Sequence, residues 1–208
     1  MTASTGRRRV IAGLVVVAVA VPALAWGVVT YRSGQAPKGT PASGQTPPAV
    51  CELPESVLAQ TRTHNFRDFE LFDASPDRNA PDLDFSCDWD QLAGADGIDS
   101  RAIGWRAYRF DSADRALRYF EMHREMPSVL PPFEIRSVDG FPGPASCQRT
   151  VDKSGTTEVA LTVLDRNRIV VVRIDAEDQH FLWTRPTPFT TAEALTALVA
   201  REVLQRTW

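Results

Sequence analysis

The chain has 208 residues, 43% of them hydrophobic and 24% charged, with a formal net charge of −3. All 26 acidic residues lie after Val50, whereas five of the 23 basic ones (Arg7, Arg8, Arg9, Arg32 and Lys38) precede it, so the part after Val50 carries a net charge of −8 from 18 basic and 26 acidic side chains. Such an acidic domain repels phosphate backbones and anionic lipid head groups, which argues against nucleic acid as a partner.

Residues 1–9 form a short basic segment ending in Arg7-Arg8-Arg9. The uncharged apolar run that follows, 10–29, has roughly the length at which a helix spans a bilayer core. Positive charge before the run and none within it keeps the N-terminus cytoplasmic and sends the rest of the chain outward. The run length favours a retained, single-pass signal anchor in the cell membrane. Ala23-Leu24-Ala25 has the small-x-small form of a signal peptidase site, and cleavage after Ala25 would instead give a secreted domain. Residues 30–50, with Pro37, Pro41, Pro47 and Pro48 among Gly, Ser, Thr and Ala, read as an extended tether that buries nothing. No cysteine follows the apolar run closely enough to take a lipid. The first cysteine, Cys51, opens the expected extracytoplasmic domain, 51–208, which is ordinary in length for one domain with a buried core.

Within that domain, Leu53 to Thr61 predicts a short helix packing Leu53, Val57 and Leu58. Leu83 to Trp89 alternates strictly, with Leu83, Phe85, Cys87 and Trp89 on one face of a strand and Asp82, Asp84, Ser86, Asp88 and Asp90 on the other. A second strand follows at Ile103 to Phe110. Asp111 and Ser112 offer capping oxygens to a helix from Ala113 to about Met126, whose Ala113, Ala116, Leu117 and Phe120 share one face. Strands are expected near Glu134 to Val138, Ser146 to Val151, Glu158 to Leu164 and Arg168 to Ile174. The last two make a hairpin across Asp165-Arg166-Asn167. A closing helix begins near Thr191, with Thr190 and Glu193 as a capping box and Leu195, Leu198, Val199 and Val203 as its buried stripe. The fold class is α+β: an antiparallel sheet with helices packed on its faces, preceded by one N-terminal transmembrane or signal-anchor helix.

Three cysteines in an exported chain allow one disulfide and leave one thiol over. Pairing Cys51 with Cys87 would staple the incoming chain to the sheet; pairs involving Cys147 are the alternatives. Cys147 reads as a buried thiol, since none of His64, His123 and His180 stands in a recognisable thiol-protease context. Asp82, Asp84, Asp88 and Asp90 do not fit a calcium loop, because the sixth position is Cys87 and the twelfth Ala93. On a strand they make a solvated face. Three isolated histidines with no His-x-x-x-His or Cys-x-x-Cys spacing give no metal site. Ser146 lacks the glycines of a nucleophile elbow, and Gly140-Phe141-Pro142-Gly143 is a turn. No catalytic residue, metal ligand or cofactor is therefore expected. Trp183 and Arg185, in an expected loop ahead of Pro186 and Pro188, are the candidate binding lip.

Cys51-Glu52-Leu53-Pro54, Cys87-Asp88-Trp89, the Ala-rich helix containing Ala113 and Ala116, and the run Val159 to Ile174 ahead of a C-terminal Ala/Leu helix together resemble a group of small actinobacterial envelope proteins. These are lipoproteins and signal-anchored proteins, largely without an assigned function. The resemblance implies an α+β sandwich with a Cys…Cys-x-Trp disulfide and transfers no catalytic residue. This chain departs from the group in lacking a lipobox cysteine and in carrying Cys147. The functional expectation is a membrane-tethered, non-catalytic binding or interaction module of the cell envelope, held in the membrane by residues 10–29 and recognising an envelope protein. A carrier or sensor of an apolar small molecule is the second expectation. An envelope hydrolase ranks last, for want of a nucleophile–base pair.

Overall fold

The computed structural model describes Pro22, Gly27 and residues 44–72, 79–92, 99–125, 134–151, 155–180, 183–206 and 208. The basic segment 1–9, the apolar run 10–29 apart from Pro22 and Gly27, and the tether positions 30–43 lie outside the described residues. Among the described residues no helix is long and apolar enough to cross a membrane.

Three helices and eight strands make up the described domain. In chain order they are α1 (Glu55–Thr61), β1 (Asn65–Phe72), β2 (Leu83–Asp90), β3 (Asp99–Arg109), α2 (Ala113–Glu125), β4 (Glu134–Ser137), β5 (Ala145–Val151), β6 (Thr157–Asp165), β7 (Arg168–His180), β8 (Trp183–Pro186) and α3 (Phe189–Leu204). One antiparallel sheet runs β1-β2-β3-β7-β6-β5-β4, and β8 pairs with β7. It is two meanders, β1-β2-β3 and β4-β5-β6-β7, joined along the long β3–β7 pair from Asp99↔Asp178 to Arg109↔Arg168. The α+β expectation holds, with helices on both faces.

Alternation sorts the sheet into two faces. Phe85, Cys87, Trp89, Ile103, Trp105, Ala107, Val159, Leu161, Val163, Val170, Val172 and Ile174 are buried on one side. Leu53, Val57 and Leu58 from the α1 end of the chain join them, together with Ala192, Val199, Ala200 and Val203 of α3. The small side chains of α3 let its axis approach the β6–β7 ladder closely. Its stripe is Ala192, Thr196, Val199, Ala200 and Val203, whereas the expected Leu195 and Leu198 are partly buried at its flank. On the opposite side α2 covers one corner, where Ala116 and Phe120 pack with Tyr108, Phe110, Leu164 and Ile169.

Several expectations are corrected. Asn65–Phe72 is a strand that the sequence did not announce, because a bulge between Phe66 and Asp68 breaks its alternation. Trp183–Pro186 is strand β8 and not a loop. Ser112 caps α2 as expected, accepting from the Arg115 amide at 3.4 Å. The buried stripe of α2 is nevertheless Ala116 and Phe120, with Ala113 and Leu117 turned to solvent. Arg115 sets this rotation by reaching Asp82 at 3.2 Å and Asp111 at 2.9 Å. The Thr190/Glu193 capping box does not form: α3 starts directly after Pro188, and Glu193 is taken by Arg136 and Arg149. The β6–β7 hairpin is as expected, with Arg166 at φ 57° in its turn.

Candidate functional site

Residues 48–50, expected as the end of a tether that buries nothing, are part of the folded body. The Cys51 amide donates to the Pro48 carbonyl at 2.8 Å, Val50 packs on the core, and Arg206 donates to the Ala49 carbonyl at 3.3 Å. Cys51 and Cys87 are joined by a disulfide with Cα atoms 5.6 Å apart. Trp89 closes the joint, its indole donating to the Cys51 carbonyl at 3.2 Å and its ring lying edge-on to Phe66 at 5.2 Å. The last residue, Trp208, stacks edge-on against Phe85 at 5.6 Å. The chain therefore enters and leaves the domain at the same end, beside the β6–β7 turn, where Arg168 donates to the Arg206 carbonyl at 2.8 Å.

The aspartate face of β2 is solvated at its two ends, where the Asp82 and Asp90 side chains are 44% and 41% exposed, and is threaded with ion pairs. Asp84 receives a two-pronged bond from Arg106 of β3, at 2.6 and 2.5 Å, and the same guanidinium lies 3.9 Å above the Phe72 ring. Asp82 is held by Arg115 of α2, which also donates to the Ala80 carbonyl at 2.6 Å. Asp90 lies 3.9 Å from Arg67. Asp88 is different. Its carboxylate sits over Gly104, where a Cβ would stand 2.5 Å from Oδ1. Burial, with the neighbouring charges of Asp68 and Glu70 adding to it against Arg67 and Arg173, raises its carboxyl above the usual aspartate value. Tyr108 and Tyr119, whose rings are 5.3 Å apart, close this face under α2, and burial raises both phenols. The sequence carries little signal for this lattice: of β3 it uses Arg106 alone, which the register sets opposite Ser86, while Arg115 and Arg67 come from α2 and β1.

Cys147 is the free cysteine, buried on β5. Its Sγ is 3.8 Å from Glu193 Oε1, and burial first, then the Glu193 charge, pushes the thiol up to about 11. It is protonated at neutral pH and is a poor nucleophile. Ser146, also buried, keeps its hydroxyl without a hydrogen-bond partner among the described residues. His64 Nε2 lies 3.1 Å from Glu55 Oε1, and His123 stacks on Tyr119 at 3.8 Å. Among the described residues no group of three His, Cys, Asp or Glu side chains is gathered to hold a metal.

At the end of the sheet opposite the β6–β7 turn, β3, β7 and β8 extend past β2 and β6. Arg101 there is buried and donates to the Glu177 carbonyl and to Asp178 Oδ1, both at 2.6 Å. Thr187 donates to the same Oδ1 at 2.8 Å, and its carbonyl accepts from Thr157 at 2.7 Å. Of the expected lip, Arg185 is exposed opposite Asp178 and Trp183 pairs with His180 through its backbone. The Trp183 side chain lies outside the described residues. A recess of about 200 Å³ opens elsewhere, between Phe120 of α2 and the turn Ser137–Ala145.

No family model matches the chain, and no curated protein matches it. Solved structures similar in part include two of low identity. One is the crystal structure of the extracellular domain of PknH from Mycobacterium tuberculosis, 9% identical, covering 76% of this chain and 94% of that one, with a TM-score of 0.46. The other is the crystal structure of a GTP-binding regulator from Thermotoga maritima, 13% identical over 77% of this chain and 94% of that one, with a TM-score of 0.37. At these values neither likeness transfers anything to this chain.

Proposed function

We propose that the chain is a membrane-tethered extracytoplasmic binding module of the cell envelope, non-catalytic, presenting its sheet to a protein partner. The observation that carries this reading is the Cys51–Cys87 disulfide at the root of the tether. Disulfides persist in oxidising compartments, and this one fixes the domain directly downstream of an apolar leader with a basic front. The charged side chains support a scaffold role. Asp84, Asp82, Asp178, Glu193 and Asp165 each hold an arginine of another strand, helix or turn position. Cys147, the strongest nucleophile by residue type, is held as a thiol.

The carrier reading finds less support. The recess at Phe120 is about 200 Å³ and rimmed by turn residues, against the ~300–1,000 Å³ apolar cavities that enclose small ligands.

The test uses the full chain expressed in its host. Protease added to spheroplasts should digest the domain while sparing a fragment containing residues 10–29; a protected domain would overturn the topology. Native mass spectrometry of the unreduced protein should give the bare chain less two hydrogens. Photo-crosslinking in intact cells should join it to another protein. A small molecule that survives purification, with no protein crosslink, would overturn the module reading in favour of the carrier.

A further inference from the structure

Strand β1 ends the sheet on one side, and its outer edge faces no other strand among the described residues. From Asp68 to Phe72 its register against β2 is regular. The Phe69 amide donates to the Asp68 carboxylate, at 2.8 Å. The Phe69 amide therefore points outward, and by alternation so do the backbone N–H and C=O of Leu71. These are the groups that an added strand would pair with.

The side chains along this edge are sorted by face. Phe69 and Leu71 pair with Cys87 and Phe85 on the α1–α3 side, and they stay 36% and 59% exposed, an unusual pair of large apolar groups for an edge strand. Asp68 and Glu70 pair with Asp88 and Ser86 on the other side. With Asp90 beside them, carboxylates outnumber the single guanidinium of Arg67 along this margin. The burial and like-charge crowding that raise the Asp88 carboxyl are what an arriving cation would relieve.

We infer that the outer edge of β1 docks an extended segment of a partner protein in which basic residues alternate with apolar ones, adding a strand to the sheet. Backbone pairing at Phe69 and Leu71 supplies the affinity, apolar side chains cover Phe69 and Leu71, and basic ones meet Asp68 and Glu70. A second copy of this chain fits less well. Two-fold antiparallel pairing centred on Phe69 sets Glu70 against Asp68, and pairing that opposes Phe69 to Leu71 sets Glu70 against Glu70; like charges directly opposed destabilise a strand pair. The same carboxylates that invite a basic strand thus exclude this chain's own edge.

This inference rests on the binding-module reading and locates its surface. The test uses the full chain, disulfide intact, in non-ionic detergent, with a blocked decapeptide of alternating lysine and valine as probe. Amide hydrogen exchange at Phe69 and Leu71 should slow at least tenfold at saturation. A glutamate–valine peptide should leave these amides unchanged. Leu71→Pro removes an outward donor without touching the ladder to β2 and should abolish the protection. Asp68→Lys with Glu70→Lys should transfer the protection to the glutamate–valine peptide, which keeps the inference testable where the proline variant is unstable. Unslowed exchange at both amides, equal protection by the two peptides, or protection that appears with protein concentration and no peptide would each overturn it, the last by making a second copy the occupant. Crosslinks to a protein partner through another face would leave the module reading standing while this inference falls.

Discussion

Arg101 and Asp178 form a buried ion pair between neighbouring strands, 2.6 Å from Nη2 to Oδ1, at the end of the sheet opposite the β6–β7 turn. Arg101 is 6% exposed, and the pair fastens β3, β7 and the start of the segment leading to α3. Asp178→Ala should destabilise the domain by about 3–5 kcal/mol, since it takes the Asp178 carboxylate away from a buried guanidinium. Urea unfolding of both single variants and the double variant would measure the coupling. A double variant with Arg101→Met that loses no more than Asp178→Ala alone is the expected outcome.

The disulfide spans 36 residues of sequence. Replacing both Cys51 and Cys87 with alanine should lower stability by about 3–4 kcal/mol, from the loop-closure entropy returned to the unfolded chain. Denaturant melts followed by tryptophan fluorescence check it, and reduction of the parent should reproduce the loss.

The Cys147 thiol, pushed up to about 11 from an ordinary 9.0, binds its proton more tightly folded than unfolded. Its contribution is complete below the unfolded value and is lost as pH rises from about 9 to about 11. Stability should therefore fall across that window, and Cys147→Ala should fall less. Alkylation of the native protein at pH 8 should be slow, and fast once it is unfolded.

Asp88 carries the same sign. A carboxyl whose folded value is raised favours the protonated state, so its contribution is present below the usual aspartate value and lost as pH rises through the raised one. Asp88→Asn should raise the melting temperature at neutral pH and flatten its rise on acidification. A melting temperature that drops at neutral pH would show that Arg67 and Arg173 outweigh burial.

Two glycines separate cheap from expensive crowding. A methyl at Gly104 meets the tip of the Asp88 side chain, which can swing away. A methyl at Gly143 falls inside contact distance of the Leu164 carbonyl oxygen, whose own amide is bonded to the Pro144 carbonyl at 2.9 Å. Gly143→Ala should cost about 1–3 kcal/mol and Gly104→Ala less than about 1. Thermal melts of the two variants side by side would rank them.

Regular alternation was readable in the sequence: β2, β6 and β7 follow the period-two pattern, and the Asp165–Arg168 turn was marked by its polar residues. β1 was hidden because one extra residue at Arg67 shifts the phase, so Phe66 and Phe69 read as out of step. β8 was hidden because a four-residue strand with a proline owes its existence to the overhang of β7. The rotation of α2 and the missing capping box have a shared cause. Arg115 and Glu193 are drawn away by Asp82, Arg136 and Arg149, partners that become neighbours only after folding. Tertiary ion pairs overrode local propensity at both places. Of the expected site, the cysteine pairing was legible from burial and position, while the outward amide of Phe69 follows from bulge and register together.

The covalent joint between Cys51 and Cys87 also sets how the domain bears tension. A pull on residues preceding Cys51 passes straight across the sulfur bridge into β2, in the body of the sheet. Residues 52–86, which include all of α1 and β1, lie inside the loop that this bridge closes, off the line of force. Without the bridge the same pull would peel α1 from the core first and then unzip β1, a strand with one paired edge. With it, the outermost strand is mechanically isolated from the chain that precedes Cys51, and the load falls on a ladder paired on both sides.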